Sequence, residues 1–251
     1  MNLVFMGNPA FAVPALEKLA ASDYQIVAVV SNPPQKMGRG KKIRETAIAI
    51  KAKSIGLHVI QQQDLKSSHF KRELEELNAD LFVVVAFRIL PKSLITIPKL
   101  GSINLHASLL PAYRGAAPIQ WALINGDEET GLSTFFLTPK VDTGAVIFQD
   151  RLPIRPNDNY GVLSERMGNL GSDLLVKTIN LIKSGAASAI KQNDNQVTLA
   201  PKITKDMTII DWSKPARELH NLVRGLTPTP GAATIIKGKR IKIQETRVDN
   251  D

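Results

Sequence analysis

No cysteine occurs in this chain, which excludes disulfides, thiolate nucleophiles and cysteine-ligated zinc. Long hydrophobic runs are missing too: the longest, such as Leu81–Phe87, are far too short to span a bilayer. The opening MNLVFMGNPAF has no basic leader ahead of its apolar residues and reads as a first core strand, which argues against a signal peptide. His58, His69 and His220 are scattered, and none has the i, i+4 partner of a helical metal site. All three read as structural or solvated, and no metal is expected. The first strand-to-helix turn, GNPAFAVPAL, lacks the second and third glycines of a GxGxxG fingerprint. A dinucleotide needs that close backbone approach, so a NAD enzyme is disfavoured. A cytoplasmic protein without membrane attachment is the default expectation.

What is present points elsewhere. The 251 residues suffice for one large domain and a small one, with 43% hydrophobic residues and a mean hydropathy of -0.05, ordinary for a globular protein. The formal net charge is +9. Such a bias favours polyanionic partners through phosphate contacts and counterion release, although a merely basic protein would carry it as well.

Asn2–Met6, Gln25–Val30, Asp80–Phe87 and Gly101–Leu105 read as strands, Leu57–Ile60 as a brief one, and Phe11–Ala21, Ile43–Ile55 and Ser67–Leu77 as helices between them. This alternation predicts a doubly wound, mostly parallel α/β sheet. Ala117–Asn125 reads as a helix ended by Gly126, and Leu132–Thr138 and Ala145–Leu152 as an antiparallel pair around PKVDTG. A long helix is expected over Tyr160–Lys183, capped by Asn157 or Asp158, with Val162, Leu163, Met167, Leu170, Leu174, Ile179 and Ile182 as its apolar stripe. Ser184–Lys205 loses periodicity and reads as a linker. Asp211–Gly225 reads as a helix, and Ala233–Ile236 and Ile241–Gln244 as a hairpin around Lys237-Gly238-Lys239. The division expected is a domain over 1–186, a linker over 187–205 and a C-terminal piece over 206–251. That last piece is thin for an independent core and is expected to be incomplete or to lean on the first domain.

The densest chemistry lies in INLHASLLPAYRG, residues 103–115. Asn104 and His106 are two apart on a predicted strand, so both side chains point the same way. An amide donor and an imidazole converging on one reacting atom can stabilise an oxyanion and move a proton. A pair of hydrogen-bonded core polar residues would look the same in sequence. Ser108 is not followed by the glycine of a nucleophile elbow, against a serine hydrolase. Asp142 sits on the VDTG turn, where a carboxylate could pair with His106 or merely shape the turn. A second DTG is missing, against an aspartic protease. The loop SNPPQKMGRGKKIR places Lys36, Arg39, Lys41, Lys42 and Arg44 on a Pro- and Gly-rich segment suited to phosphate contacts, or simply solvated.

VFMGNPAFAVPAL, NPPQKMGRGKK, VVVAFRILP, GSINLHASLLPAYRGAAPIQWALINGDEETG, VDTG and IDWSKPARELHNLVRGLTPTPGA occur in order along nearly the whole chain. In these motifs the chain resembles the methionyl-tRNA formyltransferases, within the folate-dependent formyltransferases. The resemblance implies formyl transfer from 10-formyltetrahydrofolate to the methionine amino group of initiator methionyl-tRNA, by a monomer. It implies that Asn104 polarises the formyl oxygen, that His106 shares the developing oxyanion and assists proton movement, and that Asp142 orients the imidazole and accepts a proton through water. It places the folate against Ser108, Leu109, Leu110 and Pro111, with Phe87, Arg88, Ile89 and Leu90 near the pterin. The basic loop around Arg39 is similar to the element that enters the acceptor stem. The C-terminal piece, 206–251, is similar to the first part of a tRNA-binding domain, a small β-barrel resembling an OB-fold, the family continuing past this end. Two alternatives stay open: a related formyltransferase acting on a sugar-nucleotide or purine-precursor amine, and a catalytically silent RNA-binding relative.

Overall fold

The computed structural model describes residues 1–37 and 42–248. In chain order the elements begin β1 (Asn2–Gly7), α1 (Val13–Ala20), β2 (Gln25–Ser31), β3 (Gln35–Met37), β4 (Lys42–Arg44), α2 (Ala47–Ser54), β5 (Val59–Gln61), α3 (Ser68–Glu76), β6 (Leu81–Val85), α4 (Lys92–Ile95) and β7 (Ser102–His106). They continue with β8 (Arg114–Gly115), α5 (Pro118–Asn125), β9 (Glu129–Phe136), β10 (Val146–Pro153), α6 (Tyr160–Lys183), β11 (Leu199–Ala200), α7 (Ala216–Leu226), β12 (Ala232–Ile236) and β13 (Lys239–Ile243). By packing, they fall into two compact units. One comprises Met1–His106, Ser133–Gln149 and Gly168–Gln192; the other comprises Ala107–Leu132, Asp150–Met167 and Asn193–Asp251.

The first unit is built on a sheet of order β10-β9-β7-β6-β1-β2-β5. β5, β2, β1, β6 and β7 run parallel, and β9 runs antiparallel to β7. Strand order reverses between β1 and β6, and ligands of such sheets bind beyond the carboxyl ends of the strands at that switch. Gly7 pairs with Val85, and Val85 with Leu105, so the residues following β1, β6 and β7 emerge along one edge. β6 is buried at every position, as expected for a parallel strand covered on both faces. On one face Val4, Met6, Phe82 and Val84 pack with Phe70 and Leu74 of α3 and with Leu94 of α4.

Local signals set the helix starts. Ser67 Oγ accepts from the Phe70 N–H at the head of α3, and Thr46 Oγ1 accepts from the Ala49 N–H at the head of α2. The helix expected from Ile43 therefore begins after Thr46, with Lys42–Arg44 taken into a short hairpin with Gln35–Met37. α6 keeps its predicted span, but its cap is Asn159, which accepts from the Val162 N–H. Asp158 is instead occupied by the Arg155 N–H and the Arg166 guanidinium. Val162 is exposed, while Leu175 is buried in the stripe.

In the second unit, α5 packs on α7, with Ile124 against Gly225. Ile210, Val223, Leu226 and Ala232 form a small core with Ile124, Leu219 and Ile243 around it. β12 and β13 pair antiparallel about the left-handed residues Lys237 and Gly238, the geometry that suits a two-residue hairpin turn. The C-terminal piece thus shares a core with α5.

The aperiodic 184–205 segment is not free chain. Val146 and Ile190 exchange both backbone hydrogen bonds at 2.8 Å. Further along, β11 pairs with β8: Thr198 O accepts from Arg114 N–H at 2.9 Å, and Thr198 Oγ1 accepts from Tyr113 N–H at 2.8 Å. Backbone pairing needs no apolar period, so the pattern alone does not reveal it. Gly115, at φ +127°, lies so near this segment that a Cβ would come within 2.6 Å of the Ala200 carbonyl oxygen. Gly115→Ala should therefore lower unfolding free energy by about 2 kcal/mol or more. Gly56→Ala, at φ +75° but facing open space, should lose less in the same denaturant titration.

Candidate active site

Asn104 and His106 occupy alternate positions at the carboxyl end of β7 and so share a face of the sheet. Asn104 is flanked by Val84 of β6 and Phe135 of β9, and His106 by Ser133 of β9. Asn104 is half-buried. His106 is 6% exposed, and its ring meets the edge of the Phe135 ring at a centroid distance of 6.5 Å and an interplanar angle of 84°. Across from it is the buried Asp142, whose Oδ2 lies 3.8 Å from His106 Nδ1. That is beyond a direct hydrogen bond and within ion-pair reach.

The turn that carries Asp142 is held from several sides. Its backbone is left-handed, at φ +52°, a conformation that asparagine and aspartate tolerate best among residues with a Cβ. The buried Gln192 donates from Nε2 to both the Asp142 and the Gly144 carbonyls, each at 2.8 Å. Both amide hydrogens of one side chain thereby span the turn. Thr143 Oγ1 lies 2.9 Å from Thr138 Oγ1. Gly144 passes so close to the Phe136 carbonyl that a Cβ would overlap it.

Phe87–Leu90 follows β6 through Ala86, at φ +47°. Phe87 is half-buried, Ile89 is 69% exposed, and Leu90 is packed into the core. The Arg88 guanidinium sits 5.2 Å from the Phe87 ring centroid and donates to the Gln63 carbonyl at 2.6 Å and to that of Gln62. Burial pulls its pKa down, against the opposing pull of Asp64.

Ser108–Pro111 belongs to the second unit. Ser108 and Leu110 are buried, while Leu109 and Pro111 are half-buried. Ser108 Oγ donates to the Ala112 carbonyl at 2.5 Å, closing the turn. Tyr113 donates from its hydroxyl to Asp127 at 2.6 Å and accepts from Asn125 at 2.9 Å. Burial first, then the hydrogen bond to Asp127, pushes this phenol up to about 12.

A family model described as formyl transferase matches residues 1–179, and its C-terminal domain counterpart matches residues 202–251. This chain belongs to the formyl transferase family. The methionyl-tRNA formyltransferase of Caldanaerobacter subterraneus subsp. tengcongensis is 43% identical over 99% of this chain and 81% of its own length. That of Porphyromonas gingivalis is 44% identical over 99% of this chain and 80% of its own length. Among solved structures, an N-formyltransferase from Helicobacter canadensis, in complex with folinic acid and dTDP-3-aminofucose, has a TM-score of 0.76. It covers 99% of this chain and 88% of its own at 24% identity, a likeness of fold.

In this formyltransferase the described parts of the basic segment include an antiparallel pair, β3 with β4. Lys42 and Arg44 lie on one face of β4, and Lys36 shares the other with the exposed Ile43. Arg39 and Lys41 lie outside the described residues. Among the described residues no group of three or more His, Cys, Asp or Glu gathers to hold a metal ion, and no helix is long and apolar enough to cross a membrane.

Sequence reasoning missed Gln192, Thr198 and Asp194, which receives the Arg114 guanidinium at 3.0 Å. All three lie in the segment without periodicity, where no local signal marks them. Gln192→Leu leaves two turn carbonyls without their donor, at a cost of about 1–3 kcal/mol. The expected result is a fall in turnover larger than any change in KM for either substrate. Equal kinetics in wild type and variant would show that the turn holds Asp142 without it.

Proposed function

We propose that the enzyme transfers the formyl group of 10-formyltetrahydrofolate to the α-amino group of methionine on initiator methionyl-tRNA. The observation that carries the reading is the buried His106–Asp142 pair, 3.8 Å apart, with His106 on the face of β7 that also bears Asn104. The relatives named methionyl-tRNA formyltransferase, at 43–44% identity over 99% of the chain, support the acceptor.

Formyl transfer to an amine needs a donor aimed at the carbonyl oxygen, an acceptor for the amine proton, and alignment of the two substrates. The folate supplies the activated one-carbon unit. The half-buried Asn104 offers an amide N–H for an oxygen gaining negative charge, and its place at the edge of the sheet suits that role. His106 shares that oxygen through a ring N–H and relays the proton lost by the amine. Asp142, held by Gln192, orients the imidazole and takes up the proton through water. Bond formation from nitrogen to the formyl carbon, cleavage of the carbon–N10 bond and protonation of N10 balance without a covalent enzyme intermediate.

For the folate we assign Ser108, Leu109, Leu110 and Pro111 and, near the pterin, the Phe87–Leu90 stretch. Arg88 and Leu90 serve there by fixing the backbone, because the first is bound to the 62–63 carbonyls and the second to the core. The basic segment, with Lys36, Arg39, Lys41, Lys42 and Arg44, is assigned to the acceptor stem. The net charge of +9 supports a polyanionic partner. The reading extends to a cytoplasmic monomer, and to residues 206–251 as belonging to a tRNA-binding domain similar to an OB-fold.

Asn104→Ala, His106→Ala and Asp142→Ala should each cut turnover by roughly a hundredfold or more, with the fold intact by circular dichroism. An assay comparing methionyl-tRNA with a dTDP-amino sugar as acceptor tests the substrate. Faster transfer to the sugar would overturn the tRNA reading, and wild-type turnover in the variants would overturn the assigned chemistry. Separately, replacing Lys42 and Arg44 with serine should reduce the slope of log binding constant against log salt for initiator tRNA by about 1–2. An unchanged slope would remove the hairpin from the interface.

A further inference from the structure

Tyr113 is held in a conformation that a bulky residue rarely adopts. Its backbone is left-handed, at φ +59°. Strain of this kind persists only where the surroundings over-determine it, and it gathers at ligand-binding sites. Tyr113 immediately follows the turn assigned to the folate, yet the chemistry derived so far gives it no part.

Three hydrogen bonds hold the residue. Its backbone N–H donates to Thr198 Oγ1 at 2.8 Å. Its hydroxyl donates to Asp127 Oδ2 at 2.6 Å and accepts from Asn125 Nδ2 at 2.9 Å. With its pKa pushed up to about 12, by burial first and then by Asp127, the phenol keeps its hydrogen at physiological pH. It is therefore a standing donor to a charged acceptor, the stronger class of hydrogen bond.

The two side chains that receive the phenol are themselves fixed. Asn125 and Asp127 flank Gly126, the left-handed residue that ends α5, at φ +78°. The Gly126 N–H bonds to the Leu123 carbonyl at 3.1 Å, and the Asp127 N–H to that of Ala122 at 3.0 Å. A helix cap, rather than a loose loop, thus presents both partners.

The turn before Tyr113 is pinned at its other end by packing. Leu109 lies so close to Gly131 that a Cβ there would come within 2.5 Å of Leu109 Cδ2. Between the two ends, the Ala112 N–H bonds to the Leu109 carbonyl at 3.0 Å, and Ser108 Oγ donates to the Ala112 carbonyl at 2.5 Å. Tyr113 supplies the exit pin of a short turn whose own bonds are few.

We infer that Tyr113 is a positioning residue for the folate: docked on the C-terminal cap of α5, it holds the 108–112 turn in its binding shape. Folate then spends no binding energy on ordering that turn. The inference rests on the assignment of Ser108–Pro111 to the folate and makes no claim on the acceptor.

The test is steady-state kinetics of the full chain, with 10-formyltetrahydrofolate and methionyl-tRNA varied in turn. Tyr113→Phe keeps the ring and removes both hydroxyl bonds. It should raise KM for the folate about tenfold, with kcat and KM for the tRNA within about twofold of wild type. Asp127→Asn, whose amide oxygen still accepts from the phenol, should stay near wild type. Asp127→Leu, which cannot accept, should match Tyr113→Phe, and this pair carries the comparison should Tyr113→Phe not fold. A purely structural role would lower the unfolding midpoint without splitting the kinetic constants, and that result would overturn the inference. Leu109→Ala reports on the folate assignment separately. A raised folate KM in Leu109→Ala, with none in Tyr113→Phe or Asp127→Leu, would overturn the positioning role alone. An unchanged folate KM in Leu109→Ala would overturn the folate assignment and the inference with it.

Discussion

A single side-chain amide secures the turn that faces His106. Gln192 spans the carbonyls of Asp142 and Gly144, and a left-handed turn between two strands is thereby fixed with its carboxylate facing His106. The turn contributes little apolar area of its own, so hydrogen bonds must define its geometry. Each net bond is worth on the order of 1 kcal/mol, but leaving a buried carbonyl unpaired costs more. The pairing of Val146 with Ile190 brings the chain after α6, and Gln192 with it, back to the turn.

The sheet positions the other two groups without special devices. β6 and β7 are fully parallel neighbours, and β9 closes against β7 in the opposite sense. Alternation along β7 then suffices to aim Asn104 and His106 together. Arg88 plays a complementary part. It ties the segment after β6 to the carbonyls after β5 and shields the Phe87 ring.

The parallel core was legible because strands covered on both faces must be continuously apolar, as Leu81–Val85 is. The helices were legible where a hydroxyl cap precedes an apolar period, as at Ser67. The Asn104–His106 pairing and the Asp142 turn were legible from strand alternation and the D-T-G pattern. The partnership of 184–205 with distant backbone was not, because Gln192 and Thr198 act through hydrogen bonds whose partners lie some 50 to 85 residues away. Composition does not encode such pairings, and a stretch of Gly, Ala, Ser and Asn reads as loose chain whether or not it is bound. The start of α2 was misjudged for a similar reason: Thr46 is a cap, but the apolar Ile43 before it mimics the helical period.

The interleaving of the two units has a consequence for how the protein is made. Synthesis runs from the first residue, and domains tend to fold as their sequences emerge. Here β1 to β7 can assemble early, yet Ser133–Gln149 and Gly168–Gln192 complete the same unit much later. The carboxylate's turn exists in the nascent chain some 50 residues before the glutamine that clasps it has left the ribosome. An unfinished polypeptide therefore carries this turn unclasped until Gln192 emerges.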